Sequence, residues 1–181
     1  KPHWILPDRI EAGTYLVAGA ITGGDVEAAG VHPEDIAPTL RVLEQAGCQI
    51  DIRPGGVRVS RSGPIYPLEV DTQPHPGFPT DMQAQVMALL CLSQGKSLIR
   101  ENIFENRFMH VAELARLGAH IEIDGKQATV HGVPSLKGAS VMATDLRASA
   151  SLVLAGLAAE GTTEILRLYH LDRGYERLAA K

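Results

Sequence analysis

Apolar positions along this chain change period in a fixed order, and the order recurs. Around 80–94, Val86, Leu89, Leu90 and Ser93 follow helical spacing, and similar Ala/Leu-rich runs predict helices over roughly 12–22 and 145–160. A glycine after each suits a helix C-cap. Short β-branched segments follow, "SLIRE" (97–101) and "TEILRL" (163–168). A second helix then carries Phe108, Val111, Ala112 and Ala115 on one stripe and stops at Gly118. "CQIDI" (48–52) and "AHIEI" (119–123) alternate as half-buried strands do, and "DGKQATVHG" reads as a hairpin with an Asp-Gly turn. The first helix of each set is almost uniformly apolar. Such helices belong inside, with the sheets packed outside them.

The recurrence has a measurable step. Shifted by 71 residues, "LEQAGCQIDI" (43–52) falls on "LARLGAHIEI" (114–123), and Gly24, Leu40, Val59 and Val70 fall on Gly95, Val111, Val130 and Val141. A shift of 66 residues carries Ala84, Gly95, Ile99 and Arg107 onto Ala150, Gly161, Ile165 and Arg173. The expected fold is therefore α/β (α+β): three β-α-β-α-β-β units in pseudo-threefold arrangement, about 3–73, 74–144 and 145–181. Nothing after "DRGYERLAAK" supplies a third "LGA-x-I-x-I" segment, so the last unit is expected to be incomplete.

Composition narrows the function classes. With 181 residues, 45% hydrophobic and a formal charge of -4, the chain suits one domain with an ample core. No Lys/Arg run is long enough for a nucleic-acid or membrane surface. The opening "KPHWILPDRI" has no apolar signal-peptide core, and "LVLAGLAA" is too short to span a bilayer. Cys48 and Cys91 stand 43 residues apart in apolar surroundings, as buried free thiols do in a reducing cytosol. His75, His110, His131 and His170 show no metal-ligand spacing.

Charged side chains gather at predicted helix starts: Asp81, Asp145 and Arg147 at the first helices, Arg107 and Arg173 at the second. The 66-residue register places Arg147 over Asp81, so one corner carries opposite charges in neighbouring units. Helix N-termini favour anions and disfavour arginines by about 0.3–1 kcal/mol. Three arginines placed there point to an anionic ligand. The residues alone also allow a plainer reading, with Asp81 and Asp145 as helix-start residues and Arg107 and Arg173 in surface pairs with Glu105 and Asp172.

Several longer strings carry a resemblance. "LPDRIEAGTYLVA", "HPGFPTDMQAQ", "FENRFMHVAELARLGA", "MATDLRASASLVLAGLAAEGTT" and "YHLDRGYERL" together resemble the UDP-N-acetylglucosamine 1-carboxyvinyltransferase family of enolpyruvyl transferases, from about Leu6 to the end. The resemblance implies an inverse α/β barrel as one of two similar domains facing a cleft. It implies transfer of the enolpyruvyl group of phosphoenolpyruvate to the 3-hydroxyl of UDP-N-acetylglucosamine, releasing phosphate, in early peptidoglycan synthesis in the cytoplasm. No metal or organic cofactor is implied.

By the same resemblance, Asp81 matches the general base beside the sugar hydroxyl, and Ile103 matches a backbone contact to the sugar nucleotide. Asp145, Arg147 and Arg173 match residues around phosphoenolpyruvate, and Arg107 a further cleft arginine. The family's mobile loop, its phosphoenolpyruvate-binding lysine and its uridine-binding loop belong to the companion domain. The isolated chain is accordingly expected to be inactive. The shikimate-pathway enolpyruvyl transferase is the alternative within the same fold, and a non-catalytic binding module the alternative outside it.

Overall fold

A computed structural model describes residues 3 and 5–181; Lys1, Pro2 and Trp4 of the opening segment lie outside the described residues. Helix α1 (Arg9–Thr22) starts three residues earlier than its apolar run. Asp8 sets that start, its Oδ1 accepting the backbone N–H groups of Ile10 (2.8 Å) and Glu11 (3.2 Å). The helix ends at Gly23, whose φ of 68° is the left-handed region that glycine enters without steric cost.

Strands β1 (Asp25–Ala29), β2 (Gln49–Arg53) and β3 (Gly56–Ser60) form a sheet in the order β1-β3-β2, with α2 (Ala37–Gln45) between β1 and β2 in the chain. A second sheet takes β4 (Glu69–Asp71), β5 (Lys96–Arg100), β6 (His120–Asp124) and β7 (Gln127–His131) in the order β4-β5-β7-β6. Its connections are α3 (Gln83–Leu90) and α4 (Val111–Arg116). A third sheet pairs β8 (Ser140–Met142) with β9 (Glu164–Leu166) across α5 (Leu146–Ala158).

The 71-residue step holds at the level of backbone pairing. Shifted by it, the bounds of β1, β2, β3 and β4 become those of β5, β6, β7 and β8. Register repeats too: Asp25 faces Ser60 as Lys96 faces His131, and Gln49 faces Ser60 as His120 faces His131. Both β4–β5 and β8–β9 are parallel pairs bridged by a helix.

Helices α1, α3 and α5 pack on one another at the centre. Every residue of α3 is buried, and Val86, Met87, Leu89 and Leu90 have no exposure at all. Each such side chain contributes about 1.5–3 kcal/mol of burial energy. Thr14, Gln85 and Ser151, one per helix and related by the 71- and 66-residue steps, bring buried polar groups to equivalent points of this core. Gln85 Nε2 lies 3.3 Å from Thr14 Oγ1, and both reach the Tyr175 hydroxyl, at 3.3 and 3.0 Å. These bonds offset much of the cost of burying them, although Gln85 Oε1 has no hydrogen-bond partner among the described residues.

Three local expectations are corrected. The segment 80–94 is a 3-10 turn (Thr80–Met82) followed by a shorter helix, and Cys91 rather than glycine closes it. Gly95 and Gly161 instead turn the chain ahead of β5 and β9, while Gly118 does stop α4, with φ 90°. The stripe of α4 is Phe108, Val111, Leu114 and Leu117; Ala112 and Ala115 are exposed. Leucine removes more apolar area from water than alanine, so the leucine face turns inward.

Candidate active site

The starts of α3, α4 and α5 converge, and the two Thr-Asp dipeptides there do different work. Asp145 is the N-cap of α5, in extended backbone, with Oδ1 accepting the N–H groups of Arg147 and Ala148, each at 2.8 Å. Asp81 caps nothing: the 3-10 turn holding it begins at Pro79 without a side-chain cap. Its carboxylate is directed across space. Oδ1 accepts from Arg107 Nη2 at 2.6 Å, and Oδ2 lies 3.8 Å from Arg147 Nη2, beyond hydrogen-bonding distance. The surface pairing of Arg107 with Glu105 is thus replaced by a pairing with Asp81. The Asp81 side chain keeps 39% exposure, against 24% for Arg107 and 16% for Arg147, and no described residue hydrogen-bonds Oδ2.

Both arginines are propped from behind. The Arg107 guanidinium lies 4.8 Å from the Phe104 ring centroid, and that of Arg147 lies 5.6 Å from the Tyr175 ring. Arg147 Nη1 is buried without a hydrogen-bond partner among the described residues. Asn106 adopts φ 54°, a left-handed conformation asparagine tolerates, immediately before Arg107.

Arg173 does not begin a helix. It is exposed in a turn after the 3-10 segment Leu168–His170, and it makes no ion pair with Asp172 or with any described residue. Its neighbours fix its place. A Cβ on Gly174 would come 2.5 Å from Leu146, the first residue of α5, and Tyr175 is buried beneath Arg147. The Arg173 turn is therefore clamped against the start of α5.

Glu101 organises the opposite wall and was not singled out from the sequence. Only 1% exposed, it accepts from the hydroxyls of Thr72 (3.0 Å) and Thr80 (2.8 Å) and from the N–H groups of Ile103 (2.9 Å) and Phe104 (3.1 Å). Four donors satisfy a carboxylate that burial would otherwise penalise. The alternation Ser97, Ile99, Glu101, all on the inward face of β5 and its extension, was the available signal. Because the Ile103 N–H is already used, a ligand contact at this residue falls to its carbonyl, to which no described residue donates. Ile103 and Asp81 line one small cavity of about 150 Å³ together with Arg9, His75 and Thr80. A larger groove of about 450 Å³ beside β1 holds none of the candidate residues.

His110, at the start of α4, is buried, and desolvation pushes its imidazole down to about 4. Nearby Asp145 opposes that shift and Arg107 adds to it. Its Nε2 has no hydrogen-bond partner among the described residues. Burial also raises Cys48 to about 11 and Cys91 to about 12, as expected of structural thiols. No described helix is long and apolar enough to cross a membrane.

Known proteins resemble this chain in sequence and fold. The family model for EPSP synthase (3-phosphoshikimate 1-carboxyvinyltransferase) matches residues 1–181. A protein of Azorhizobium caulinodans named UDP-N-acetylglucosamine 1-carboxyvinyltransferase is 63% identical over 180 residues, which are 99% of this chain and 42% of that protein. The crystal structure of the enolpyruvyl transferase NikO from Streptomyces tendae superposes with a TM-score of 0.86 at 31% identity, covering 97% of this chain and 42% of that one. An EPSP synthase from Acinetobacter baumannii shares the fold, with a TM-score of 0.68 at 20% identity over 90% of this chain and 39% of its own. This chain, spanning less than half the length of these relatives, belongs to the EPSP synthase family of enolpyruvyl transferases.

Proposed function

We propose that the chain is one domain of a cytoplasmic UDP-N-acetylglucosamine 1-carboxyvinyltransferase, facing a companion domain across a cleft. The observation that carries this reading is Asp81, with Oδ1 held by Arg107 and Oδ2, which no described residue hydrogen-bonds, beside Arg147. The name borne by relatives such as the 63%-identical protein supports the choice of substrate.

In this reaction the sugar 3-hydroxyl attacks C2 of phosphoenolpyruvate while C3 gains a proton. The resulting tetrahedral adduct loses phosphate and a C3 proton to leave the enol ether. Asp81 Oδ2 accepts the hydroxyl proton, a role that requires hydrogen-bond reach to that proton. Arg107 fixes the carboxylate's direction. Arg147 and Arg173 supply the planar, charged donors that suit carboxylate and phosphate, and fixed positive charge stabilises the departing phosphate. Asp145 acts indirectly, holding the start of α5 and so Arg147. The Ile103 carbonyl accepts from the sugar nucleotide.

The test is substrate competition in the full-length protein. Turnover with UDP-N-acetylglucosamine and none with shikimate 3-phosphate is expected; the reverse preference overturns the assignment. Arg173→Ala should raise the KM for phosphoenolpyruvate while leaving the melting temperature unchanged.

A further inference from the structure

Away from the cleft, the β6–β7 hairpin carries a second cluster. His120 and His131 are direct register partners, so their side chains share a face of the sheet. That face is the outer one, since Ala128 and Val130 of β7 point into the core. The imidazoles stack with centroids 4.2 Å apart and planes 13° apart. Glu122, two residues along β6 and so on the same face, places Oε1 3.6 Å from His120 Nε2 and 3.4 Å from His131 Nε2. One ligand atom from each residue lies within 4.8 Å of the other two.

These spacings suit a common ligand better than a pairwise salt bridge. Two donors bound to one Zn²⁺ at about 2.1 Å in tetrahedral geometry stand about 3.4 Å apart. Both Glu122–imidazole distances are already close to that separation. Rotation of His120, with 61% of its side chain exposed, closes the remaining gap. His131 Nε2 is shielded from water and has no hydrogen-bond partner among the described residues, so in the tautomer protonated at Nδ1 its lone pair is free for a ligand. Two imidazoles and one carboxylate form a donor set that suits zinc and similar borderline cations rather than calcium or magnesium.

We propose that His120, Glu122 and His131 bind a divalent transition-metal cation of the Zn²⁺ class on the outer face of the β6–β7 hairpin. The cation bridges the edge strand β6 to β7, with water completing its coordination. Because it binds the folded hairpin, it stabilises the native state by mass action. All three ligands bind in their deprotonated forms, so uptake weakens in acid.

Zn²⁺ alone, titrated calorimetrically into the full-length protein, is the probe. One site is expected, weakened at least ~10-fold by His120→Ala or by Glu122→Gln. X-ray absorption of the loaded protein should show imidazole scattering from two histidines, and Zn²⁺ should raise the melting temperature of the wild type but not of His120→Ala. His120 and Glu122 are exposed, so these variants should fold normally. Undiminished uptake by His120→Ala, or no uptake by the wild type at submillimolar Zn²⁺, overturns the proposal. Turnover of UDP-N-acetylglucosamine should be the same in wild type and both variants, which separates this site from the cleft.

Discussion

Arg107 Nη2 lies 2.6 Å from Asp81 Oδ1, tying the loop ahead of α4 to the 3-10 turn ahead of α3. The pair leaves one carboxylate oxygen uncommitted and aims it. Asp81→Asn, nearly isosteric, should fold normally and lower kcat in the full-length protein by ~100-fold or more. Arg107→Ala should lower it too, by freeing the Asp81 side chain to rotate. Steady-state kinetics beside thermal melting checks both, and near-normal turnover of Asp81→Asn would sink the base assignment.

Glu101 should matter more to stability than any other charged residue near the site. Glu101→Ala orphans four donors, a loss of about 3 kcal/mol or more. Glu101→Gln keeps Oε1 and its two backbone bonds, so the cost should fall to about 1–2 kcal/mol. Urea unfolding measures both. Equal stabilities would mean the buried carboxylate is not an organising centre.

His110 predicts an acid-side loss of stability with a defined window. Its folded-state value of about 4 lies below the ordinary 6.5. Between those values the unfolded chain binds a proton that the folded chain does not, so stability falls as pH drops from about 6.5 to about 4. The gap corresponds to about 3 kcal/mol. Unfolding free energies of wild type and His110→Gln, measured at pH 4, 5, 6 and 7, should draw apart by about that amount over the range, and parallel profiles would refute the assignment.

Tyr175 joins two functions that its variants should separate. Tyr175→Phe keeps the ring under Arg147 but strips a hydroxyl from Thr14 and Gln85, costing about 1–3 kcal/mol with little change in turnover. Tyr175→Ala also removes the platform for Arg147 and the anchor of the Arg173 turn. It should raise the KM for phosphoenolpyruvate beyond its effect on stability. Indistinguishable kinetics for the two variants would argue against the positioning role.

Cys48 and Cys91, held near 11 and 12 by burial, should resist thiol reagents at pH 8. Peptide mapping after alkylation should find both unmodified in native protein and both modified in urea. Labelling of either in the native state would place it outside the core.

Periodicity made the architecture legible because local rules write it. Helical and strand spacing, and a 71-residue repeat in strand positions, are all encoded within short windows. Charged residues were legible only as candidates. Spacing could not decide whether the acid in "PTDMQ" or the acid in "ATDLR" was a helix cap, since Asp serves either role. Nor could it tell which face of α4 turns inward, because an alanine stripe and a leucine stripe both satisfy helical spacing.

The sequence by itself determined the order of elements, the repeat that organises them and the apolar character of the central helices. Only the tertiary structure decided that Asp145 caps α5 while Asp81 pairs with Arg107, that Glu101 holds the Ile103 segment, and that Arg173 is placed by Gly174 and Tyr175. Those choices depend on partners 26 or more residues away for Asp81 and up to 161 for Tyr175, so the nearby sequence does not reveal them. Burial then sets how strongly each charge is felt. It follows from packing three helices together, not from any one segment.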